Sequence, residues 1–463
     1  MRAEPQDTAY TADPQIRALA PWLGDPVAPA TFPDHVLRWR NRRWAGAVGL
    51  AGLDDAGWLE HFARFAPLAD NLPQPLALRY HGHQFGVYNP ELGDGRGFLF
   101  AQLRDGAGRL LDLGTKGSGQ TPWSRQGDGR LTLKGGVREL LATEMLEALG
   151  VYTSKTFSLV ETGEQLWRGD EPSPTRSAVL VRLSHGHIRF GSFQRLAALG
   201  EHDHLAELVA YCLAQYPGPA AKEDAPAPAR LLALAVERMA DLAASYAAAG
   251  FVHGVLNTDN MNISGESFDY GPWRWLPRWD ANFTAAYFDE GGRYCFGRQA
   301  EAIRWNLGQL AIALRPLAEA PPLIAALERF EARYHHHLAR RVLWRLGYAE
   351  GEPEADRAAL GAVGAALQAS PLSPDAWFFQ HRAGRVAEGA LAEALRHCSP
   401  APGALAHPLW HGGTPPSLVI EEVERVWAAI AQADDWGLVQ HLVESIAELG
   451  QALGPPPPPA GQS

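Results

Sequence analysis

FVHGVLNTDNMNISGESFDYGP, residues 251–272, decides the reading of this chain. It follows a long helical pattern, ARLLALAVERMADLAASYAAAG, and brings His253-Gly254, Asn260 and Asp269-Tyr270-Gly271 into one short loop. Kinase-type phosphotransferases use an Asn and an Asp held close together to fix Mg²⁺ against ATP phosphates, in the order His-x-Asp, Asn, Asp-Phe-Gly. Order and spacing are kept here, with one departure. The base position is Val255, which accepts no proton, and a different carboxylate, Asp259, directly precedes Asn260. The competing reading is an Asx-rich turn before a strand. It leaves unexplained why all three groups fall in register.

Upstream, the loop NPELGDGRGF (89–98) sets Gly93, Gly95 and Gly97 around Arg96. Such glycines let backbone N–H groups approach a phosphate, and the arginine adds a positive fork. A Gly-Asp-Gly hairpin turn explains the glycines equally well. No GxxxxGK[ST] is present, which excludes a P-loop NTPase. Lys116 ends the β-like run LLDLGTK, and Glu139 follows 23 residues later on the amphipathic pattern VRELLATEMLEALG. A strand lysine paired with a helix glutamate is how kinase folds present a cation to nucleotide phosphates; two unrelated surface charges are the alternative. Gly127-Asp128-Gly129 forms a second flexible turn. In VLVRLSHGHIRFGSF, Arg182 and Arg189 flank a turn and could clamp a polyphosphate, although taken alone they read as surface arginines. His335-His336-His337 lies mid-helix, where side chains point about 100° apart, and reads as a solvated face rather than a metal site. His81 and His83 read as packing beneath the glycine loop.

The wider chain fits a two-part plan. From 76 to 190, β-like runs alternate with glycine-dense loops around a single helix that Gly150 stops; from 203 onward helices dominate. The expectation is an α+β, protein-kinase-like two-lobed fold with a β-rich N-lobe, a helical C-lobe and a helical C-terminal extension. Residues 1–75 read as an arm and an irregular or helical lead-in. Residues 76–195 read as a nucleotide-binding N-lobe, 196–350 as the C-lobe, 351–453 as the extension and 454–463 as a Pro-rich tail. The 463 residues, 46% hydrophobic and 20% charged, can build a large core. A net charge of −11 argues against a sequence-independent nucleic-acid binder. Cys212, Cys295 and Cys398 are too few and too scattered for a disulfide scaffold or a cysteine-rich zinc site. The N-terminus lacks an apolar signal core, and no run reaches the ~18 apolar residues of a membrane span. A cytoplasmic protein without membrane or nucleic-acid partners is expected. Lysine is rare, with only Lys116, Lys134, Lys155 and Lys222.

Taken together, YHGHQFGVYNPELGDGRG, GTKGSGQTPWSR, GDGRLTLKGGVRE and HGVLNTDNMNISGESFDYGP closely resemble the selenoprotein O family, the kinase-like protein adenylyltransferases. The resemblance covers about residues 76–310. It implies a kinase-like fold that binds ATP in a flipped orientation and transfers AMP to Ser, Thr or Tyr hydroxyls of proteins. Position by position, it implies that Gly93, Gly95, Arg96, Lys116, Asp128, Gly129, Arg182, Arg189 and Asp269 hold the nucleotide. Glu139 would support Lys116, Asn260 and Asp269 would hold Mg²⁺, and Asp259 would be the catalytic base. Related enzymes use UTP with Mn²⁺, so uridylylation stays open. A kinase-type phosphotransferase and an ATP-binding pseudokinase scaffold are the rival readings. The first lacks a base at Val255; the second predicts lost ligands, which are all present. Many family members carry Cys or selenocysteine near the C-terminus. This chain has no Cys after Cys398, and redox gating of that kind is not expected.

Overall fold

The computed structural model describes residues 8–169, 171–218 and 225–460. Lys222, the first seven residues of the arm and the last three of the tail lie outside the described residues. The fold is α+β. An antiparallel sheet is built from β1 (Gly24–Pro26), β2 (Val36–Arg40), β3 (Leu76–Leu78), β6 (Leu99–Arg104), β7 (Leu110–Lys116), β8 (Leu131–Thr132), β9 (Lys155–Leu166) and β10 (Thr175–Ser184). Its order is β1-β3-β6-β7-β10-β9-β2, with β8 paired to β10. A separate hairpin joins β4 (Gly82–Gln84) to β5 (Val87–Asn89). Two strands of the main sheet thus come from the stretch that reads as an irregular lead-in. Both are short, and β1 holds a proline, so neither shows strand periodicity.

Alternation along the strands assigns the sheet's two faces. Leu111 and Leu113 of β7 and Val179, Val181 and Leu183 of β10 point into a core with Trp58, Phe62, Phe100 and Phe157. The intervening residues face the other way. Lys116 pairs directly with Leu180, and Gly114 with Arg182. Lys116 and Arg182 are therefore diagonal neighbours on one face. That face receives the helix Leu133–Ala148, whose Thr132 cap accepts from the Gly135 N–H and whose exit is turned by Gly150 at φ +76°. Val137, Leu140, Leu141 and Met145 bury the helix in the main core, and Gly437–Leu453 packs along it from the C-terminal region.

The helical half is organised around Ala227–Ala249, which packs against Gln299–Leu314 and Phe330–Leu346. Gly250 ends it in the left-handed region and releases the chain into β11 (Phe251–Val252), paired with β12 (Arg274–Trp275). This short ladder closes the base of the loop 253–273. The solvated-face reading of the histidine run fails at His337. It is buried, with Nε2 2.9 Å from Glu237 Oε1, because a half-buried acid on Ala227–Ala249 stands opposite it. His335 alone pairs outward, with Glu331. Among the described residues no helix is long and apolar enough to cross a membrane.

Candidate active site

A cleft of about 750 Å³ opens between the sheet and the loop 253–272. Gly93, Gly95, Arg96, Lys116, Asp128, Gly129, Arg182, Arg189, Asp259, Asn260 and Asp269 all line it, together with Val255. Glu139 sits behind Lys116 on the helix Leu133–Ala148. The residues singled out in the sequence thus converge from segments far apart in the chain.

Lys116 Nζ donates to Glu139 Oε2 at 2.5 Å and lies 3.9 Å from Asp269 Oδ1. Arg182 Nη1 reaches Asp269 Oδ1 at 2.7 Å, and Arg189 Nη1 reaches Asp269 Oδ2 at 2.5 Å. Arg189 Nη1 also donates to the Asp259 carbonyl at 2.7 Å, which ties the two aspartates to one guanidinium. Both arginines are buried and stand over the Phe268 ring, so the surface-arginine alternative is excluded. Asp94, the middle residue of the glycine loop, takes the other side of Arg189 at 3.3 Å and accepts from the Leu78 N–H.

This packing sets the protonation of the acids. Burial alone would raise the Asp269 carboxyl; the charges of Arg182, Arg189 and Lys116 overturn that and hold it well below the usual carboxylate range. Asp259 lacks comparable pairing. Burial pushes it up to about 6, against the pull of Arg189, and its Oδ1 is buried without a hydrogen-bond partner. Burial lowers the Lys116 ammonium, and Glu139 opposes the shift. Asn260 donates its amide to the Val255 carbonyl at 2.9 Å, leaving Oδ1 as the group's acceptor. Among the described residues no cluster of three or more His, Cys, Asp and Glu has metal-site geometry.

The glycine loop has a further structural reason. A Cβ on Gly93 would stand 2.3 Å from Trp123, and one on Gly97 2.1 Å from the Thr115 carbonyl. These glycines admit protein neighbours at close range. Asp128 pairs at the cleft mouth with Arg168, 2.8 Å away, and accepts from the Arg130 N–H. Arg96 is exposed, and among the described residues it has no carboxylate in ion-pair range. His81 and His83 take separate partners, the Tyr88 hydroxyl and Gln194, and share no ligand. Their hairpin rests on the loop 253–272, with the His83 N–H on Thr258 Oγ1 at 2.6 Å.

Sequence reasoning missed Asp94, Arg168 and Asn257, whose Oδ1 accepts from the Phe85 N–H and the Tyr294 hydroxyl. Asp94 carried a signal, since it is a carboxylate set between two glycines of a loop already singled out, beside Arg96. Arg168 and Asn257 carried none, because each acts through a contact distant in sequence.

The model of the family described as protein adenylyltransferase SelO matches residues 8–390. A protein nucleotidyltransferase YdiU from Synechocystis sp. is 42% identical over 469 aligned positions, 94% of this chain and 98% of the relative. One from Gloeobacter violaceus is 44% identical over 92% of each chain. A third, from Synechococcus elongatus, is 51% identical over 73% of this chain and 68% of its own. The first two matches run on past residue 390, so part of the C-terminal region is shared sequence as well. The cleft and its lining lie wholly within the matched span, and the chain belongs to the SelO family of protein nucleotidyltransferases.

Proposed function

We propose that the protein transfers AMP from ATP to Ser, Thr or Tyr hydroxyls of other proteins, in a kinase-like, two-lobed fold that holds ATP with its α-phosphate toward the acceptor. The observation that carries this reading is the pair Val255 and Asp259. The residue at the kinase base position has no proton acceptor, while a buried carboxylate with an unpartnered oxygen lines the same cleft. A pKa near 6 suits a group that must take a proton near neutrality.

In the proposed step the acceptor oxygen attacks the α-phosphorus and gives its proton to Asp259. The bond from the α-phosphorus to the bridging oxygen breaks, and pyrophosphate leaves. Lys116, kept in place by Glu139, and the paired Arg182 and Arg189 hold the departing phosphates. Such transfer asks the protein for positioning and charge neutralisation rather than covalent chemistry. Asn260 and Asp269 would hold Mg²⁺, or Mn²⁺. The residues fit: Asn260 Oδ1, left as an acceptor, and the Asp269 carboxylate are hard oxygen donors lining one cleft. Two protein ligands suffice for an ion that draws its other ligands from phosphates and water. Bound there, the ion supplies further neutralisation of the triphosphate. A scaffold without catalysis fits poorly, since the cations and acids of the cleft are all in place.

The test is incubation of the full chain and an acceptor protein with ATP labelled at the α- or the γ-phosphate, with UTP and Mn²⁺ in parallel. Label entering protein from the α-position alone is expected. Label from the γ-position makes the protein a kinase, label from UTP alone makes it a uridylyltransferase, and no label from either nucleotide sinks the reading.

A further inference from the structure

The β4–β5 hairpin borders the cleft beside Asp259 through Gln84, and the turn 285–294 packs against that hairpin. The hairpin turns at Phe85 and Gly86 with φ of 51° and 82°, as in a two-residue type I′ turn. A bulky residue seldom adopts that conformation. Asn257 holds it there: its Oδ1 accepts from the Phe85 N–H at 3.1 Å. The same oxygen accepts from the Tyr294 hydroxyl at 2.7 Å and so fixes the second segment, the turn 285–294. One side-chain atom, two residues before Asp259, locks both segments to the catalytic loop.

These fixed segments carry apolar side chains that stand in water. Val87 is 70% exposed, Tyr287 86% and Phe288 47%. Phe85 touches Phe288, with centroids 5.8 Å apart, and Phe288 touches Tyr287 at 5.1 Å, so the patch is continuous. On the hairpin's other flank, Tyr88 borders an open groove of about 460 Å³ where Ile312 is 62% exposed. Arg293 lies between, over the rings of Trp305 and Tyr294. Its Nε is buried without a hydrogen-bond partner, and among the described residues no carboxylate is in ion-pair range. A rigid apolar surface of this kind beside a reaction cleft marks an interaction site.

We propose that this surface docks the protein that receives the nucleotide. It takes an extended segment with large apolar side chains next to the acceptor hydroxyl, which cover Val87, Tyr287 and Ile312, and an acidic residue that meets Arg293. The inference rests on the transferase reading above. Gln84 of the hairpin lines the cleft together with Asp259, so a chain that brings its hydroxyl within hydrogen-bond reach of Asp259 from this side lies over the patch. Arg293, with Arg315 at the far side of the groove, is too sparse a positive charge in a protein of net charge −11 to hold an anionic membrane or a nucleic acid.

The experiment uses a peptide library with one central Ser, Thr or Tyr and every residue type at the flanking positions. Transfer is read with the full chain, Mg²⁺ and α-labelled ATP; binding is read separately by fluorescence anisotropy with the Asp259→Asn variant. Peptides with a large apolar flanking residue should dominate both readouts. Val87→Asp, Tyr287→Asp and Ile312→Glu, singly and together, should weaken those peptides, the combined variant by about tenfold or more. Stabilisation by Mg-ATP should stay at the wild-type level, which also reports that the variants fold. The proposal is overturned if the combined variant binds and labels these peptides as wild type does, or if no flanking preference exists. Patch-dependent binding without label from ATP or UTP sustains the docking surface and removes the transferase reading.

Discussion

Lys116 and Glu139 form a buried ion pair, 2.5 Å from Nζ to Oε2, with both side chains almost sealed from solvent. Breaking one side of such a pair leaves an uncompensated charge and costs about 3–5 kcal/mol. Lys116→Ala should therefore melt well below wild type and lose the added stability that Mg-ATP gives. Glu139→Gln strands the buried ammonium and should melt lower too, but its loss of Mg-ATP stabilisation should be milder, because the cation remains. Thermal-shift titration measures both effects. Full ATP-induced stabilisation in Lys116→Ala would remove the lysine from the nucleotide site.

Asp259 and Asp269 should separate in their effects. Losing a general base typically costs about 10²–10⁴-fold in rate, so Asp259→Ala should lose turnover and keep nucleotide binding. Asp269→Ala should lose metal-dependent nucleotide binding too, and it leaves Arg182 and Arg189 without their shared carboxylate. Chelation of divalent cations should abolish turnover in the wild type. Wild-type turnover in Asp259→Ala would assign the base elsewhere.

Gly93→Ala tests the loop packing. The added Cβ meets Trp123, which is itself anchored by Nε1 on Asp25 Oδ2 at 2.9 Å. Overpacking of this kind costs about 1–3 kcal/mol, and weaker ATP binding should accompany the lower melting point. Gly52→Ala is the control, with nothing within 4 Å of its Cβ position. Equal melting points for the two variants would contradict the crowding.

Glu237 gives a pH signature outside the cleft. Burial would raise its carboxyl, but hydrogen bonds and charge from His337 and Arg333 outweigh this and hold it at about 2. A carboxyl depressed on folding contributes stability above its unfolded pKa, and that contribution is lost as pH falls through the folded value. Glu237→Gln should thus cost about 1–2 kcal/mol at pH 7. The gap to wild type should narrow between about pH 4.5 and 2. Denaturant melts across that range measure it, and a constant gap would refute the pairing.

The sheet, the Glu139 helix and the metal-type loop are legible in the sequence because each rests on local patterning: strand runs, a four-residue apolar repeat, and Asn and Asp at fixed spacing. Val255 could be read directly, since a missing proton acceptor needs no structure to recognise. What stayed hidden depends on tertiary partners. Asn257 looks like any turn asparagine until Phe85 and Tyr294 meet on its oxygen. His337 looks solvated until Glu237 stands opposite. The strands Gly24–Pro26 and Val36–Arg40 are too short to show periodicity and are fixed only by pairing at the sheet edges.

The brace on the Glu139 helix has a consequence for how the protein is made. Lys134, at the start of that helix, pairs with Glu424, 290 residues further on, and Gly437–Leu453 covers its outer flank. A ribosome delivers the sheet and this helix long before their cover. In the interval the flank stays bare, an invitation to chaperones and to wrong partners. Only a chain synthesised as far as Leu453 can seal the helix that steadies Lys116, so the pair is locked long after its own residues are made.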